Sequence, residues 1–310
     1  MTDSPAGSHL EKSLYRDIVE TAFHEDLGTT GDLTSNATVD AAARAEGVIV
    51  ARQAGRLCGL EIALDVFQSV DPELEVFRLA EDGQDLEAGE VLTRMRGDAR
   101  ALLAAERTAM NFLGHLSGIA TVTRDLVARI ESTSSKLVCT RKTTPGLRAL
   151  EKYAVRTGGG GNHRFGLFDA VLIKDNHRAL CGGVASAIRR AKKSVGHLVP
   201  IEVEVDDLQQ LDEALREGVD AILLDNMSIP DLRVAVERCR GRVVSEASGG
   251  IGLDTIEEVA RTGVDLISVG WITHSAPSLD VAFDLVPNPA SSRGEREKLV
   301  PSFDRLRSRE

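Results

Sequence analysis

A basic, glycine-interrupted segment, residues 141–178, stands out in a chain that is acidic as a whole. The segment holds eight lysines and arginines against three acids, whereas the complete chain has 37 lysines and arginines against 48 acids. The cations stand singly or in pairs at the ends of apolar runs, unlike those of a nucleic-acid-binding tail. This pattern predicts a pocket for a small polyanion that carries carboxylates and phosphates. The eight cations are Arg141, Lys142, Arg148, Lys152, Arg156, Arg164, Lys174 and Arg178.

Within this segment, a run of four glycines at residues 158–161 precedes His163 and Arg164. Glycines let the backbone approach a ligand closely or adopt positive φ, although a glycine run alone is more often a flexible loop. The His-Arg pair that follows favours a loop that brings hydrogen-bond donors to an anion, since arginine can bind a carboxylate with two parallel bonds.

Further charged residues stand where apolar strands end. Arg141 and Lys142 follow one such run, where a solvated strand end would be the ordinary explanation but the neighbouring motifs favour the pocket mouth. Lys174 follows another, where it either extends from the strand end to solvent or lines the site. Glu204 and Asp225 end neighbouring strands, where they could accept hydrogen bonds from sugar hydroxyls or hold Mg²⁺ through water. Pairing of these acids with nearby cations is an equally good explanation from the sequence alone.

Two glycine turns follow the last predicted strands. SEASGGIGLDTI places Ser248, Gly249 and Gly250 between a strand and a predicted helix, so backbone N–H groups and the helix dipole could hold a phosphate. SVGWITHS adds Gly270, with His274 as a possible supporting residue. Paired turns of this kind are typical of phosphate sites in the last loops of (β/α) barrels.

The bulk composition limits the classes of function. The chain has 310 residues, is 42% hydrophobic and carries a net charge of −11, which argues against nucleic-acid or anionic-membrane partners. Its four cysteines form no CxxC pair, which disfavours a zinc site and favours a reducing compartment. No signal peptide or membrane span is recognisable, so a soluble cytoplasmic protein is expected.

The elements that must position these residues form two regions. Residues 45–97 predict short strands and turns, and residues 99–130 a long helix with Gly114 and Gly118 as candidate breaks. Six apolar strands then alternate with amphipathic helices, for which Asp207 and Ser228 are predicted caps. This α/β pattern favours an incomplete (β/α) barrel over a doubly wound open sheet. The Pro/Ser-rich and charged tail, residues 287–310, is expected to be disordered.

Seven stretches together resemble the quinolinate phosphoribosyltransferase family, over about residues 10–286. The stretches are HEDLGTTGDLTS, AAERTAMNFLGHLSGIAT, TRKTTPGLRALEKYAVRTGGGGNHRFGLFDAVLIKDNH, IEVEVDDLQQL, AILLDNM, VSEASGGI and ISVGWITHSAP. RKTTPG, GGGGNHR and IKDNH in this order are the most specific. Thr157 stands where the family pattern has a cysteine, which affects no predicted catalytic residue.

The resemblance implies an N-terminal α/β sandwich (1–112), an incomplete barrel (113–275) and a segment returning to the sandwich (276–286). It implies a homodimer with shared active sites, Mg²⁺ as cofactor, and quinolinate and phosphoribosyl diphosphate as substrates. Two rival interpretations are a phosphoribosyltransferase for another pyridine carboxylate, such as nicotinate, and a non-catalytic phosphosugar-binding barrel.

The resemblance also implies a role for each site residue. Catalysis is assigned to Lys142, Glu204 and Asp225, the two acids also holding Mg²⁺. The quinolinate site is Arg141, His163, Arg164 and Lys174, joined by Arg107 of the other subunit. The 5′-phosphate site is Ser248, Gly249, Gly250, Gly270 and His274.

Overall fold

The computed structural model describes residues 10–286, so the predictions for residues 1–9 and for the tail lie outside the described part. The described chain has two main sheets, a four-stranded antiparallel sheet and a six-stranded parallel sheet. The predicted fold class, an α/β sandwich followed by an incomplete barrel, is confirmed.

The antiparallel sheet has the strand order β12-β1-β5-β3, so its first strand comes from the end of the described chain. A two-stranded ribbon, β2 with β4, lies beside it. The elements of this half are a short 3₁₀ turn (Lys12–Leu14), α1 (Arg16–Leu27), α2 (Leu33–Thr38), β1 (Arg44–Ala51), β2 (Gly55–Arg56), α3 (Leu60–Val70), β3 (Glu75–Arg78), β4 (Asp85–Leu86), β5 (Val91–Asp98) and β12 (Val281–Val286).

Helix α3 shows that the prediction of strands and turns throughout residues 45–97 was wrong over residues 60–70. Its apolar residues recur at helical spacing and pack on the sheet, with the rings of Phe67 and Phe283 5.2 Å apart. Its start is fixed by the Asp82 carboxylate, which accepts hydrogen bonds from the N–H groups of Gly59 (2.7 Å) and Leu60 (3.0 Å). A cap from a remote residue leaves no local signature of the kind that marks most helix starts.

Helix α4 (Ala99–Ile130) runs without a break through both candidate break positions. Its glycines instead let the chain cross it: a Cβ on Gly118 would overlap the carbonyl oxygen of Pro277, and one on Gly114 would lie 3.0 Å from that of Leu279. The Leu279 N–H also donates to the Gly114 carbonyl at 2.9 Å. This crossing leads the chain back to β12. The boundary predicted at residue 112 between the sandwich and the barrel falls inside α4. No helix in residues 10–286, including this one, meets the length and apolarity that a membrane span requires.

The parallel sheet has the order β6-β11-β10-β9-β8-β7 and is unclosed between β6 and β7. Asp207 and Ser228 cap α8 and α9 as predicted, by accepting backbone N–H groups. The elements of this half are β6 (Lys136–Val138), α5 (Arg148–Thr157), β7 (Val171–Ile173), α6 (Asp175–Cys181), α7 (Val184–Ser194), β8 (Ile201–Val205), α8 (Leu208–Glu217), β9 (Ala221–Asp225), α9 (Ile229–Cys239), β10 (Val244–Ser248), α10 (Ile256–Ala260), β11 (Leu266–Ser268) and α11 (Trp271–His274).

Candidate active site

Most of the predicted site residues lie at the carboxyl ends of the six parallel strands. Ser248, the last residue of β10, lies opposite Asp225, the last residue of β9. Glu204 belongs to the next strand, β8, while Lys174 follows β7 and Lys142 follows β6. Because parallel strands end at one edge of their sheet, the fold gathers these side chains on one face.

Three carboxylates form an acidic corner at this face. One oxygen each from Glu204, Asp206 and Asp225 lies within 4.8 Å of the others. Lys174 Nζ contacts the buried Glu204 Oε2 at 2.8 Å, and Arg178 Nη2 contacts Asp206 at 2.9 Å. Carboxylate oxygens are the ligands that Mg²⁺ prefers, so the donor set fits this cation. Asp206 was missed by the sequence analysis, although it stands two residues after Glu204 where β8 ends.

Asp225 is the least paired acid of this corner. Burial raises the pKa of its carboxyl group, while the Asn226 amide, which donates to Asp225 Oδ2 at 2.8 Å, opposes the rise and the charge of Glu204 adds to it. Asn226 has a φ of 52°, the one positive value among the described residues other than glycine. The backbone is therefore bent into the left-handed region where Asn226 supports the carboxylate.

A second polar cluster, deeper in the barrel, joins His163 to two acids that the sequence analysis did not assign. His163 Nε2 lies 2.9 Å from Glu202 Oε2 and 3.6 Å from Glu246 Oε2. The other ring nitrogen, Nδ1, accepts the N–H of Arg164 at 2.7 Å. Both ring nitrogens are thus engaged within the protein, and a direct contact between His163 and quinolinate stays a prediction.

The two acids of this cluster are among the most buried charged groups of the described chain. Glu246 is 1% exposed and Glu202 9% exposed. Burial raises the pKa of Glu246 to about 7, and the neighbouring Glu202 adds to the rise. Burial alone would lower the pKa of His163, but the hydrogen bond to Glu202 and the charge of Glu246 raise it on balance. The only sequence signal was the alternation of acids in IEVEV, which points Glu202 and Glu204 to the same side of β8.

Cations line the pocket beside this cluster. Arg164 Nη1 donates to the Ala170 carbonyl at 2.9 Å, and its pKa is lowered by burial and by the nearby charge of Arg141. Lys152 is buried in α5 and donates to the His163 carbonyl and to Cys139 Sγ, both at 3.0 Å. Lys152 therefore holds the loop that carries His163, a role that the sequence analysis missed.

The four-glycine run is a packing feature. A Cβ on Gly158 would lie 2.5 Å from the Ala120 carbonyl of α4, and one on Gly160 would lie 2.9 Å from Thr123. Gly159 has a φ of 90°. The run is tightly packed against α4 and leads to His163 and Arg164, while a close approach of its own backbone to a ligand stays a prediction.

The predicted phosphate turn has the backbone geometry that glycine allows. Gly249 and Gly250 have φ values of 99° and 62°. Trp271 Nε1 donates to the Ile251 carbonyl at 3.1 Å, which ties the turn to the loop after β11. The expected helix dipole is not at this turn, because α10 begins only at Ile256. Any phosphate would therefore be held by backbone N–H groups of the turn.

The second glycine turn packs against a predicted catalytic lysine. A Cβ on Gly270 would lie 2.9 Å from Lys142 Cδ, and Thr273 Oγ1 donates to the Lys142 carbonyl at 2.7 Å. The Lys142 side chain thus lies next to this predicted phosphate turn. His274 is exposed and its Nδ1 contacts Ser275 Oγ at 2.6 Å, so no contact in residues 10–286 ties it to them.

Arg107 stands apart from the other predicted residues. It lies on α4, and its side chain is 70% exposed. Its one ion pair in the described chain is with the neighbouring Glu106, at 3.8 Å. It lines a shallow groove with Asn111 and Ser278. Its predicted entry into the site of a second subunit stays a prediction.

Two family models match the chain. Residues 32–117 match the quinolinate phosphoribosyl transferase N-terminal domain, and residues 119–284 match the C-terminal domain.

Similar curated proteins cover most of the chain. The nicotinate-nucleotide pyrophosphorylase [carboxylating] of Mycobacterium leprae is 46% identical over 284 residues, 90% of this chain and 99% of the relative. A probable enzyme of the same name from Bacillus subtilis is 44% identical over 263 residues, 85% of this chain and 90% of the relative.

Solved structures agree in fold. The nicotinate-nucleotide pyrophosphorylase from Francisella tularensis has a TM-score of 0.86 at 39% identity and covers 92% of this chain and 100% of its own. The NadC structure from Streptococcus pyogenes has a TM-score of 0.87 at 40% identity, covering 90% and 99%. Human nicotinic acid phosphoribosyltransferase, at 14% identity and a TM-score of 0.59 (91% and 75% covered), shares the fold alone.

Proposed function

The chain belongs to the quinolinate phosphoribosyltransferase family, and we propose that it transfers phosphoribosyl from phosphoribosyl diphosphate to quinolinate. Loss of CO₂ completes the reaction, so the products are nicotinate mononucleotide, pyrophosphate and CO₂. The reaction is a step of NAD biosynthesis. We propose a cytoplasmic location, because the four cysteines form no disulfide and free thiols are typical of a reducing compartment.

One observation carries the proposal: a cationic pocket and an acidic corner share the same strand ends and are joined by the 2.8 Å contact between Lys174 and Glu204. The cationic side suits a small dicarboxylate, because Arg141 and Arg164 are near enough for their charges to interact. The acidic side suits ribose hydroxyls and a diphosphate-bound cation. A simple phosphate-binding protein would need no buried acid at this position.

The transfer step requires no covalent enzyme intermediate. The pyridine nitrogen of quinolinate attacks C1 of the ribose while the bond from C1 to pyrophosphate breaks, so positive charge develops on the sugar. Glu204 and Asp225 supply negative charge beside the ribose, which stabilises that transition state. Lys142 supplies positive charge on the side where pyrophosphate leaves.

Glu204, Asp206 and Asp225 are the residues that would hold Mg²⁺. When bound, this cation would neutralise charge on the departing pyrophosphate. Lys174, already paired with Glu204, would then exchange part of that contact for a carboxylate of quinolinate.

Decarboxylation follows from the charge that the transfer creates. Once the ring nitrogen carries the sugar, it is a pyridinium that stabilises an electron pair on the adjacent carbon. The bond to the 2-carboxylate breaks, CO₂ leaves, the electron pair stays on C2, and C2 takes up a proton. Arg141 and Arg164 orient the substrate through its two carboxylates during this step.

We further propose that two copies of the chain complete each site. Arg107 is exposed on the sandwich half and is not in contact with the cationic pocket of its own chain in the described residues. In a homodimer it would supply a further cation to the partner's pocket, as symmetric dimers with shared sites do.

The test of the proposed function is a comparison of quinolinate with nicotinate as acceptor. A monocarboxylate leaves at least one pocket cation without its charge-assisted hydrogen bond, which is worth about 1.5–3 kcal/mol, or roughly tenfold or more in affinity. Quinolinate should therefore be the preferred acceptor and should release CO₂. Equal efficiency with nicotinate would refute this substrate, and binding of phosphoribosyl diphosphate without pyrophosphate release would indicate the non-catalytic alternative.

A further inference from the structure

The deep cluster of His163, Glu202 and Glu246 lies beneath the pocket in which the proposed function places a dianion. Negative charge on its two buried carboxylates would repel that substrate. We propose that Glu246 is a positioning residue: the pocket binds quinolinate productively only while Glu246 is a neutral carboxylic acid, and ionisation of Glu246 weakens quinolinate binding through Glu202 and His163. This inference rests on the proposed function and names a specificity-determining residue for it.

The geometry leaves room for one negative charge in the cluster. One ring nitrogen of His163 lies near both acids, 2.9 Å from Glu202 and 3.6 Å from Glu246. This nitrogen and one carboxylate oxygen from each acid all lie within 4.8 Å of one another. When two carboxylates share a site, the charge of one strongly raises the pKa of the other. No donor from the described residues reaches Oε1 of either acid. A proton on Glu246 would turn its carboxyl group into a donor and remove this deficiency.

The backbone neighbours of Glu246 in the sheet are apolar, which favours its neutral form. It lies in the centre of the sheet, opposite Leu223 of β9 and Leu266 of β11. The polar groups that face it are Glu202, His163 and Ser268, and of these Glu202 opposes ionisation while the other two assist it.

Cations beyond the immediate cluster do not contact Glu246. Lys152 directs its described hydrogen bonds to Cys139 and to the His163 carbonyl, and its charge acts on His163. Arg164 interacts with the charge of Glu202. Burial and the adjacent acid together outweigh the assisting groups and raise the pKa of Glu246 to about 7.

The consequence is a defined pH dependence. With Glu246 neutral, His163 Nε2–H donates to Glu202 without competition, and the surrounding cations remain available for the substrate. Ionised Glu246 would add a buried negative charge beneath a dianion and would compete with Glu202 for the imidazole N–H. Above the pKa of Glu246, the KM for quinolinate should rise toward roughly tenfold per pH unit, because the neutral fraction falls in that proportion.

The experiment measures kcat and both KM values between about pH 6 and pH 9 for three proteins. In the wild type, the KM for quinolinate should rise above about pH 7 while that for phosphoribosyl diphosphate changes little. Glu246→Gln, which keeps a neutral donor of the same shape, should remove the rise. Glu258→Gln makes the same change of charge at an exposed position of α10 and should behave as the wild type. A rise that survives in Glu246→Gln would assign the effect to His163 and overturn the inference.

A second measurement does not depend on the variant. Titration of the wild type with quinolinate in buffers of different ionisation enthalpy at about pH 8 should show uptake of a proton on binding, and absence of uptake would overturn the inference even if Glu246→Gln fails to fold. Turnover with CO₂ release at about pH 6 tests the proposed function separately. Turnover with a KM for quinolinate that does not depend on pH would refute this inference alone, whereas no turnover at any pH would refute the proposed function.

Discussion

Three glycines after β10 provide a graded test of the phosphate turn. Gly249 has a φ of 99° and its added Cβ would overlap the Asn226 side chain, whereas Gly250 has a φ of 62° and open space around it. Gly252 has neither a left-handed backbone nor a neighbour within 4 Å. Alanine at Gly249 therefore imposes backbone strain and a clash, and alanine at Gly250 imposes backbone strain alone. Alanine at Gly252 imposes neither.

The expected magnitudes follow from these differences. A left-handed backbone costs an L-residue about 1–2 kcal/mol. If the alanine variant leaves the turn conformation and substrate binding has to re-form it, Gly250→Ala should raise the KM for phosphoribosyl diphosphate by roughly five- to thirtyfold. Gly249→Ala must also displace Asn226 from the carboxylate of Asp225. At this exposed position the lost hydrogen bond adds about 1 kcal/mol, which brings the total to about 2–3 kcal/mol, or roughly thirty- to 150-fold. Gly252→Ala should stay within about 0.5 kcal/mol of the wild type.

Steady-state kinetics with each substrate varied in turn provide the assay, with thermal unfolding as the control for folding. The KM for phosphoribosyl diphosphate should rise in the order Gly252→Ala, Gly250→Ala, Gly249→Ala, while the KM for quinolinate stays nearly constant. Equal KM values across the series, in folded proteins, would refute the assignment of this turn to the phosphate.

Three further predictions concern assembly and stability. Mixing inactive Arg107→Ala with inactive Lys142→Ala should restore part of the activity, since some heterodimers carry one intact site; mixtures that stay inactive although heterodimers form would exclude shared sites. Because burial raises the pKa of Glu246 from its ordinary 4.5 to about 7, the stability that accompanies its protonated form is complete below pH 4.5 and is lost as pH rises to 7. Urea unfolding should therefore show the wild type losing up to about 3 kcal/mol relative to Glu246→Gln across this range, and parallel profiles would contradict it. Gly118→Ala should destabilise the chain by about 1–3 kcal/mol, because its Cβ overlaps the Pro277 carbonyl; an unchanged melting temperature would show that the crossing segment moves freely.

Features with local causes were the ones that the sequence predicted well. Asp207 and Ser228 accept N–H groups two or three residues away, so their capping roles are visible in the sequence. The six apolar strands, each followed by a polar residue and a helix, likewise predicted the unclosed barrel and the face where Lys174 and Asp225 lie.

Features that depend on distant residues could not be predicted in this way. Helix α3 is capped by Asp82 from beyond its other end, and Gly118 is a close-packing position only because the chain returns across α4 after the barrel. The links of Glu246 to His163 and of Lys152 to Cys139 join separate elements. No spacing along the chain encodes such contacts, so sequence patterns could not predict them.

The fate of the 2-carboxylate tests the proposed reaction most directly. The protein would be incubated with phosphoribosyl diphosphate and quinolinate labelled in its 2-carboxyl carbon, and labelled CO₂, pyrophosphate and nicotinate mononucleotide would be measured together. The three should appear in equal amounts, and no CO₂ should form without phosphoribosyl diphosphate. A nucleotide product that retains the label, or pyrophosphate released without CO₂, would contradict the proposed reaction.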